Sequence, residues 1–570
     1  FAGVLPDRIK QQMEYSALSF VYQVWSRIAK DQAPNTTSNE LTLINYFLGA
    51  YEKPALAFGI LERYIGEDDF VKAMKAYYEE WKFKHPQPED VKSSFENSTG
   101  KNLDWLFDGL MYSNQVYDYE ITEFDEENQK LSINNNGSIP APFDITFSVD
   151  SSDVRTIWYE GFVGSKVIDV SDLPLKKIEI DRDRKSLDID PDNNDLNTDA
   201  FKFRFLTGLK TSKTNKLFYL PTVGANVSNL LQFGIALHNY GVPLSNFQYY
   251  INPGVGVRKG APIGAFEFRR DFPRREGKLR NISLALGGKS YHEDYIERFD
   301  YNLRFSRIQP SIDFEWKSSW VSPISQYLTY RPIGIWTESP ILNNVDGIVV
   351  FDGKLSIFSL IHDLEYRYVK RSPINPLDIK VNAEYRNYMR ADQGKQYLKL
   401  YGEAIAKFAY KQGKFLELRA FGGFFPLHSE RNISTSAALG NFSLFHRGVN
   451  DYRYDHHFID RKGQEGLLSR QVNMNDGGFK NGITNSMPLG LSNNYMAAVN
   501  IAIDLPFNWT KNLPIKPYFD AGLYSYKSTS SEEFQQGILY SGGLMIDYQK
   551  VFMIHLPIFN SEEINDVYAQ

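Results

Sequence analysis

The sequence predicts a multidomain chain: a helical segment, then a small β-sandwich, then an antiparallel transmembrane β-barrel of about 12 to 16 strands. Three observations predict this order. Apolar residues recur at helical spacing over 1–116, alternate in short runs over 117–198, and alternate in long runs over 199–570. Aromatic residues form 15% of the 570 residues, led by 40 Phe and 36 Tyr, with most of the excess beyond residue 200. No apolar run of about eighteen residues exists, so no transmembrane helix is expected and any crossing would be by strands.

In residues 1–116, Phe70, Ala73, Met74, Tyr77 and Trp81 share one face of a helix, with charges between them. Pro54 suits the first turn of the preceding helix, where no amide hydrogen bond is lost. Gly66 ends that helix, and Glu67, Asp68 and Asp69 sit at the positive end of the next. "FKHPQPED" reads as a proline-punctuated connector. "STGKNLDWLFDGLM" restarts a helix with Trp105, Leu106, Leu110 and Met111 on its apolar side.

Residues 117–198 change period. "QKLSINNNG", "FDITFSVD", "VRTIWYEGF", "KKIEIDRD" and "SLDIDPDNND" read as short alternating strands separated by turns, which fits a small β-sandwich. Asp188, Asp190, Asp192 and Asp195 lack the glycine and closing glutamate of an EF-hand loop, so a solvated turn is preferred to a calcium site.

Residues 199–570 carry the strongest signal. In Ile379 to Tyr385, Ile379, Val381, Ala383 and Tyr385 oppose Lys380, Asn382 and Glu384. In Leu398 to Tyr410, Leu398, Leu400, Ala404, Ala406 and Phe408 oppose Lys399, Glu403 and Lys407. Tyr495 to Phe507 and Ile538 to Tyr548 repeat the pattern, and "KQGK" makes a short polar turn. An apolar face sustained over many strands is what a lipid-facing closed sheet requires, because lipid cannot hydrogen-bond an open backbone edge. A large soluble β-sandwich or barrel is the alternative, and the heavily charged opposite face weighs against it. That face carries Asp363, Glu365, Arg367, Lys380, Glu384, Arg386, Glu403, Lys407, Glu417 and Arg419, whose mixed signs point to a filled lumen rather than an open pore. Residues 440–494 break the rhythm as one long polar loop, and long loops of such barrels usually lie outside the cell. His456 and His457, read as neighbours on a strand, would point to opposite faces and share no metal.

A net charge of −6 of mixed sign excludes nucleic acid as an expected partner. The absence of cysteine excludes thiol catalysis and fits a periplasm or cell surface. No H-E-x-x-H pattern occurs; His292-Glu293-Asp294-Tyr295-Ile296 lacks the second histidine. Neither a G-x-S-x-G elbow nor a phosphate loop is present.

"TLINYFLGAYEKPALAFGILERYIGEDDFVKAMKAYYEEWKFKHPQPEDVKSSFENSTGKNLDWLFDGLM" (Thr42 to Met111) resembles the segment downstream of the zinc site in M1-family (gluzincin) aminopeptidases, nearest the Bacteroidetes branch. Residues 117–198 also resemble the β domain that follows, including its "IDPDNN" ending, and "KLFYLPTVGANVSNLLQFGIALHNYG" resembles the first strands of a C-terminal barrel. The resemblance implies that 1–116 is the α-helical C-terminal part of a thermolysin-like peptidase domain. It also implies that Tyr51 is the family tyrosine, a catalytic donor to the oxyanion of the tetrahedral intermediate. The family's zinc ligands lie upstream of this tyrosine by more than the chain provides. Glu14 stands too close to Tyr51 to replace them and reads as an ordinary helix charge. The chain opens on Phe1 inside an apparent domain, so an upstream part is expected, and zinc only if that part carries the ligands.

The main expectation is therefore an M1-type zinc aminopeptidase-like protein anchored in a bacterial outer membrane, of which this chain lacks the zinc-binding half. The alternative is a catalytically inert structural or interaction subunit of an outer-membrane complex. A gated transport barrel is a third, weaker reading. The implied partners are outer-membrane lipid, other outer-membrane proteins and, for an active enzyme, a peptide substrate, with the N-terminal domains on the periplasmic side.

Overall fold

A computed structural model describes residues 17–149, 154–171, 173, 176–196, 199–208, 214–345, 348–390, 393–429, 440–483, 488–507, 514–528, 533–548 and 552–569. Glu14 lies outside them.

The first module is helical: α1 (Ala17–Arg27), α2 (Leu43–Phe47), α3 (Lys53–Ile65), α4 (Glu67–Trp81) and α5 (Pro88–Thr99). Gly66 separates α3 from α4 at φ 92°, a conformation open to glycine, and Pro54 lies in the first turn of α3 as expected. "WLFDGLM" forms a π turn, Trp105–Met111, whose Trp105, Leu106, Phe107, Leu110 and Met111 are all buried.

The second module pairs two antiparallel three-stranded sheets. One orders β1 (Tyr119–Asp125), β2 (Lys130–Asn135) and β5 (Gly164–Asp169). The other orders β4 (Val154–Tyr159), β3 (Phe143–Ser148) and β6 (Lys177–Ile180). Their inner residues Leu131, Ile133, Ile145 and Phe147 join Ile60, Leu61, Phe95 and Leu106 of the helices in one continuous core.

Two expectations fail in this module. "SLDIDPDNND" is no strand but a sequence of bends around a short 3₁₀ turn, Pro191–Asn193. Of its aspartates, Asp192 is exposed as a solvated turn would have it, but Asp188 is not. Asp188 is buried and accepts from the amides of Tyr119 (3.0 Å) and Asp190 (2.9 Å). Arg27 reaches over from α1 to the Ile189 carbonyl (2.6 Å) and Asp190 (2.8 Å). The acids brace the sandwich against the helices.

The third module is one sixteen-stranded sheet. In chain order it contains β7 (Asp199–Phe205), β8 (Thr214–Asn226), β9 (Leu230–His238), β10 (Phe247–Gly256), β11 (Ala261–Pro273), β12 (Leu279–Ile296), β13 (Tyr301–Trp316) and β14 (Ile324–Val345). It continues through β15 (Ile348–Lys370), β16 (Leu377–Arg390), β17 (Gln393–Lys411) and β18 (Lys414–His428). After an intervening loop come β21 (Tyr495–Ile503), β22 (Ile515–Tyr526), β23 (Gln535–Tyr548) and β24 (Phe552–Asn560). That loop contains a two-residue bridge, β19 (Phe442–Ser443) with β20 (Leu491–Ser492). From β8 to β24 each strand pairs antiparallel with its neighbour, as expected of an up-and-down sheet. A short helix, α6 (Glu562–Ala569), follows β24.

The expected closed barrel is not completed by hydrogen bonds. β7 runs parallel to β8 and occupies the edge that β24 would need, and no ladder joins the two ends among the described residues. The sheet is nevertheless rolled. His457 bonds the Ala225 carbonyl of β8 (3.2 Å), its neighbour His456 bonds Asn475 (3.0 Å), and Asn481 bonds Asn560 of β24 (2.9 Å). From Asn475 to Asn481 the backbone covers at most about 21 Å. Even with the reach of the side chains, this path falls short of the roughly 67 Å that β8 to β24 would cover laid flat.

The polarity of this sheet is inverted. Leu364, Val381, Val499 and Phe519 are exposed on the outer face, while their neighbours Asp363, Asn382, Asn500 and Asp520 are buried. Asp363, Glu384 and Asp520 are wholly enclosed, at 0% exposure.

Candidate functional site

Tyr51 lies on an irregularity. Between α2 and α3 the helix runs unbroken through a π turn, Leu48–Glu52, of sequence LGAYE. Such turns interrupt the regular ladder and are frequent at functional sites. Buried Asn45 anchors it, donating from Nδ2 to the Lys30 carbonyl (2.9 Å) and to Gln32 Oε1 (3.0 Å). Gly49 packs against Pro34, where a Cβ would sit 3.3 Å from the proline Cα. Tyr51 itself is 59% exposed and meets Tyr46 edge-on at 6.5 Å. With Leu43 and Phe47 they form an open apolar patch. No cluster of three His, Asp or Glu able to hold a metal occurs among the described residues. Those residues therefore do not fit a zinc site, and among them Tyr51 has no ligand set beside it.

Behind the patch, the helical module docks on the sheet. Lys53 is buried, its Nζ 3.3 Å from the Ser113 carbonyl; burial pushes its ammonium down to about 8, against the opposing pull of Asp31. Arg275, in the turn between β11 and β12, enters this region. It pairs with buried Asp31 at 2.5 Å and donates to the carbonyls of Ser26 (2.6 Å) and Asn114. The end of the sheet that carries this turn is therefore the end that faces the helices. The long segment between β18 and β21 leaves from the opposite end.

That segment, expected as one long polar loop, is folded back onto the sheet. Residues 440–483 fold against the inner face of the sheet. Tyr454 stacks on Phe305 of β13 with ring centroids 4.1 Å apart. Asp455 pairs with Arg307 of β13 (2.8 Å), Arg331 of β14 (3.6 Å) and its own neighbour Arg453 (3.1 Å). Burial alone would raise the Asp455 carboxyl, but the three guanidiniums outweigh it and hold the group below the usual carboxylate range. Arg453 continues to Glu384 (3.3 Å) and Asp363 (3.6 Å), and Tyr452 donates to Glu384 at 2.6 Å. Lys480 pairs with Asp520 of β22 at 2.6 Å, both buried. The histidines 456 and 457 sit in this loop rather than on a strand, so the alternation argument for them does not apply.

Of the inner-face charges named from sequence, several meet one another. Arg419 pairs with Glu403, which also faces Lys380 (3.6 Å). Lys407 pairs with Glu417 (2.6 Å), and Asn382 donates to Glu365 (3.3 Å). Arg367 pairs with Asp378 (2.5 Å), and Arg386 donates to Ser359 (3.3 Å). The most connected groups, Arg307, Arg331, Arg453 and Asp455, were not singled out by sequence. The alternation of "LRFSRIQPSIDFEW" and the charge density of "NDYRYDHH" are the signals that could have found Arg307, Arg453 and Asp455, and the alternation of "YLTYRPIGIW" the one for Arg331.

No family model matches the chain, and no curated protein is similar to it in sequence. Among solved structures, aminopeptidase A of Legionella pneumophila is similar over 31% of this chain and 21% of its own, with 18% identity and a TM-score of 0.24. CdiB from Acinetobacter baumannii is similar over 62% of this chain and 60% of its own, at 8% identity and a TM-score of 0.29. BamA from Haemophilus ducreyi, lacking POTRA domains 1–3, is similar over 62% and 71%, at 9% identity and a TM-score of 0.32. The chain thus spans about a fifth of the aminopeptidase and three-fifths of CdiB. At these scores the likenesses establish neither fold nor activity.

Proposed function

We propose that this chain is an outer-membrane β-barrel protein whose lumen is closed by its own loop, and that it acts as a structural or interaction subunit holding a helical and β-sandwich module at one end. One observation carries this reading: an apolar outer face surrounds a charged interior occupied by residues 440–483. In water that polarity would expose the wrong face, whereas in lipid it satisfies both. Short turns of outer-membrane barrels face the periplasm and long loops the exterior. The longest connection, between β18 and β21, leaves the end opposite Arg275, which supports a periplasmic location for the helices and sandwich. The full chain in a planar bilayer tests the reading: near-zero steady conductance is expected, and porin-like conductance would overturn it.

A second reading is favoured by Tyr51 alone: that the periplasmic module is one side of an M1-type aminopeptidase site completed by residues upstream. An exposed tyrosine on a π turn, with an uncovered apolar patch beside it, supports it. Zinc, bound by those upstream residues, would supply the activated water; this chain would supply Tyr51 as the oxyanion donor. Aminopeptidase activity of the gene-encoded protein, reduced about 10²–10³-fold by Tyr51→Phe, is the expected result. Activity unchanged by that substitution would rule the role out.

A further inference from the structure

Between the loop and β8–β13 the interior is not filled. A cavity of about 470 Å³ remains there, within the size range of small-molecule sites. Its walls differ from the cluster around Asp455, where acids and bases are matched. Lys289 lines the cavity with no hydrogen-bond or ion-pair partner among the described residues. Gln232 also lines it and is 93% buried (7% exposed), with its Nε2 donating to nothing. Asn229, fully buried behind the lining His292, accepts or shares the His292 Nδ1 proton at 2.6 Å and leaves its own Nδ2 unused.

The acids and bases nearby are already engaged. Glu293 accepts from Tyr454 (2.7 Å) and pairs with Lys462 (3.2 Å). Arg461 is held by Asp451 at 3.1 Å and by the carbonyls of Gly448 and His456. What remains unmet is an ammonium and two amide NH₂ groups, all donors. Buried donors such as Gln232 Nε2 and Asn229 Nδ2 are nearly always paired, and half-buried Lys289 adds a positive charge to the cavity wall.

We infer that this cavity binds a small oxyanion, a carboxylate or phosphate group, with Lys289 as its counter-charge and Gln232 as a second donor. The inference is independent of the peptidase reading, since it uses no residue of the helical module. Apolar Phe305, Phe458 and Ile459 also line the space, so the ligand carries an organic portion beyond its anionic head.

The test uses the full chain purified in detergent, in chloride-free buffer, with inorganic phosphate and succinate as separate probes of saturable thermal stabilisation. At least one probe is expected to stabilise the protein saturably. In Lys289→Met the midpoint should rise about tenfold or more, while Lys289→Arg retains binding. Phosphate alone would assign the phosphate class, and succinate alone the carboxylate class. Lys407→Ala, altering a pair away from the cavity, should bind as the parent chain does. Folding of each variant is read independently by its heat-dependent gel mobility. No saturable effect of either probe, or equal effects in the parent chain and folded Lys289→Met, would overturn the inference.

Discussion

The two halves of the molecule are built with opposite polarity. In the helical and sandwich modules, Ile60, Phe95, Ile145 and Phe147 are enclosed and charges such as Lys75 and Glu80 face outward. In the sheet, Val381, Phe424 and Ile538 face outward, and Asp363, Glu384, Arg419 and Asp520 are enclosed. In the first region the hydrophobic effect drives burial; in the second, paired charges share the interior with an apolar cluster around Phe421, Phe425, Phe442 and Phe479, while other large apolar side chains face outward.

The comparison can be broken by substitutions of graded effect. Phe147→Ala in the sandwich core should cost about 3–5 kcal/mol, read by denaturant unfolding of that module. In the sheet the equivalent loss comes from a charge: Asp520→Ala leaves Lys480 buried without its partner, at about 3–5 kcal/mol. Adding Lys480→Met should recover most of that loss, which a simple packing defect would not allow. Val381→Arg, on the outer face, should cost about 2–4 kcal/mol in bilayers if its depth is central.

A pH-dependent effect of intermediate size separates the modules further. Burial raises the Asp118 carboxyl to about 6, and buried Asp188 beside it is raised as well. A raised folded-state pKa means the charged form is disfavoured, so the contribution to stability is present below the usual carboxylate range and lost as pH rises through about 6. Asp118→Asn keeps the oxygen that accepts from Asn193 (2.9 Å). It should stabilise the module by about 2 kcal/mol at pH 8, with the difference vanishing near pH 4. The smallest change is expected at Lys407–Glu417, where both side chains are about one-third exposed: Lys407→Ala should cost no more than about 1 kcal/mol.

Much of this contrast is legible in the sequence because periodicity is local. The alternation from Ile379 to Tyr385 reappears unchanged in β16, and that from Leu398 to Tyr410 in β17. The helix on Phe70, Ala73 and Trp81 spans Glu67–Trp81. "SLDIDPDNND" misleads because Leu187 and Ile189 alternate with aspartates as a strand would, yet Pro191 and the Asp188 side chain close a turn instead. The destination of residues 440–483 is not legible at all. It depends on Asp455 finding Arg307 and Lys480 finding Asp520, contacts across 148 and 40 residues that no local pattern records. Tyr51 is legible only by resemblance, since nothing in its spacing marks it as more than an exposed aromatic.

The absence of native cysteine permits the most direct test of the inverted polarity. Single cysteines at Val381, Leu523 and Asn500, each carrying a fluorophore, would be read in bilayers with a lipid-borne quencher. The account predicts strong quenching at Val381→Cys and Leu523→Cys and little at Asn500→Cys. Equal, weak quenching at all three, with free access to a water-soluble quencher, would contradict a lipid-facing sheet.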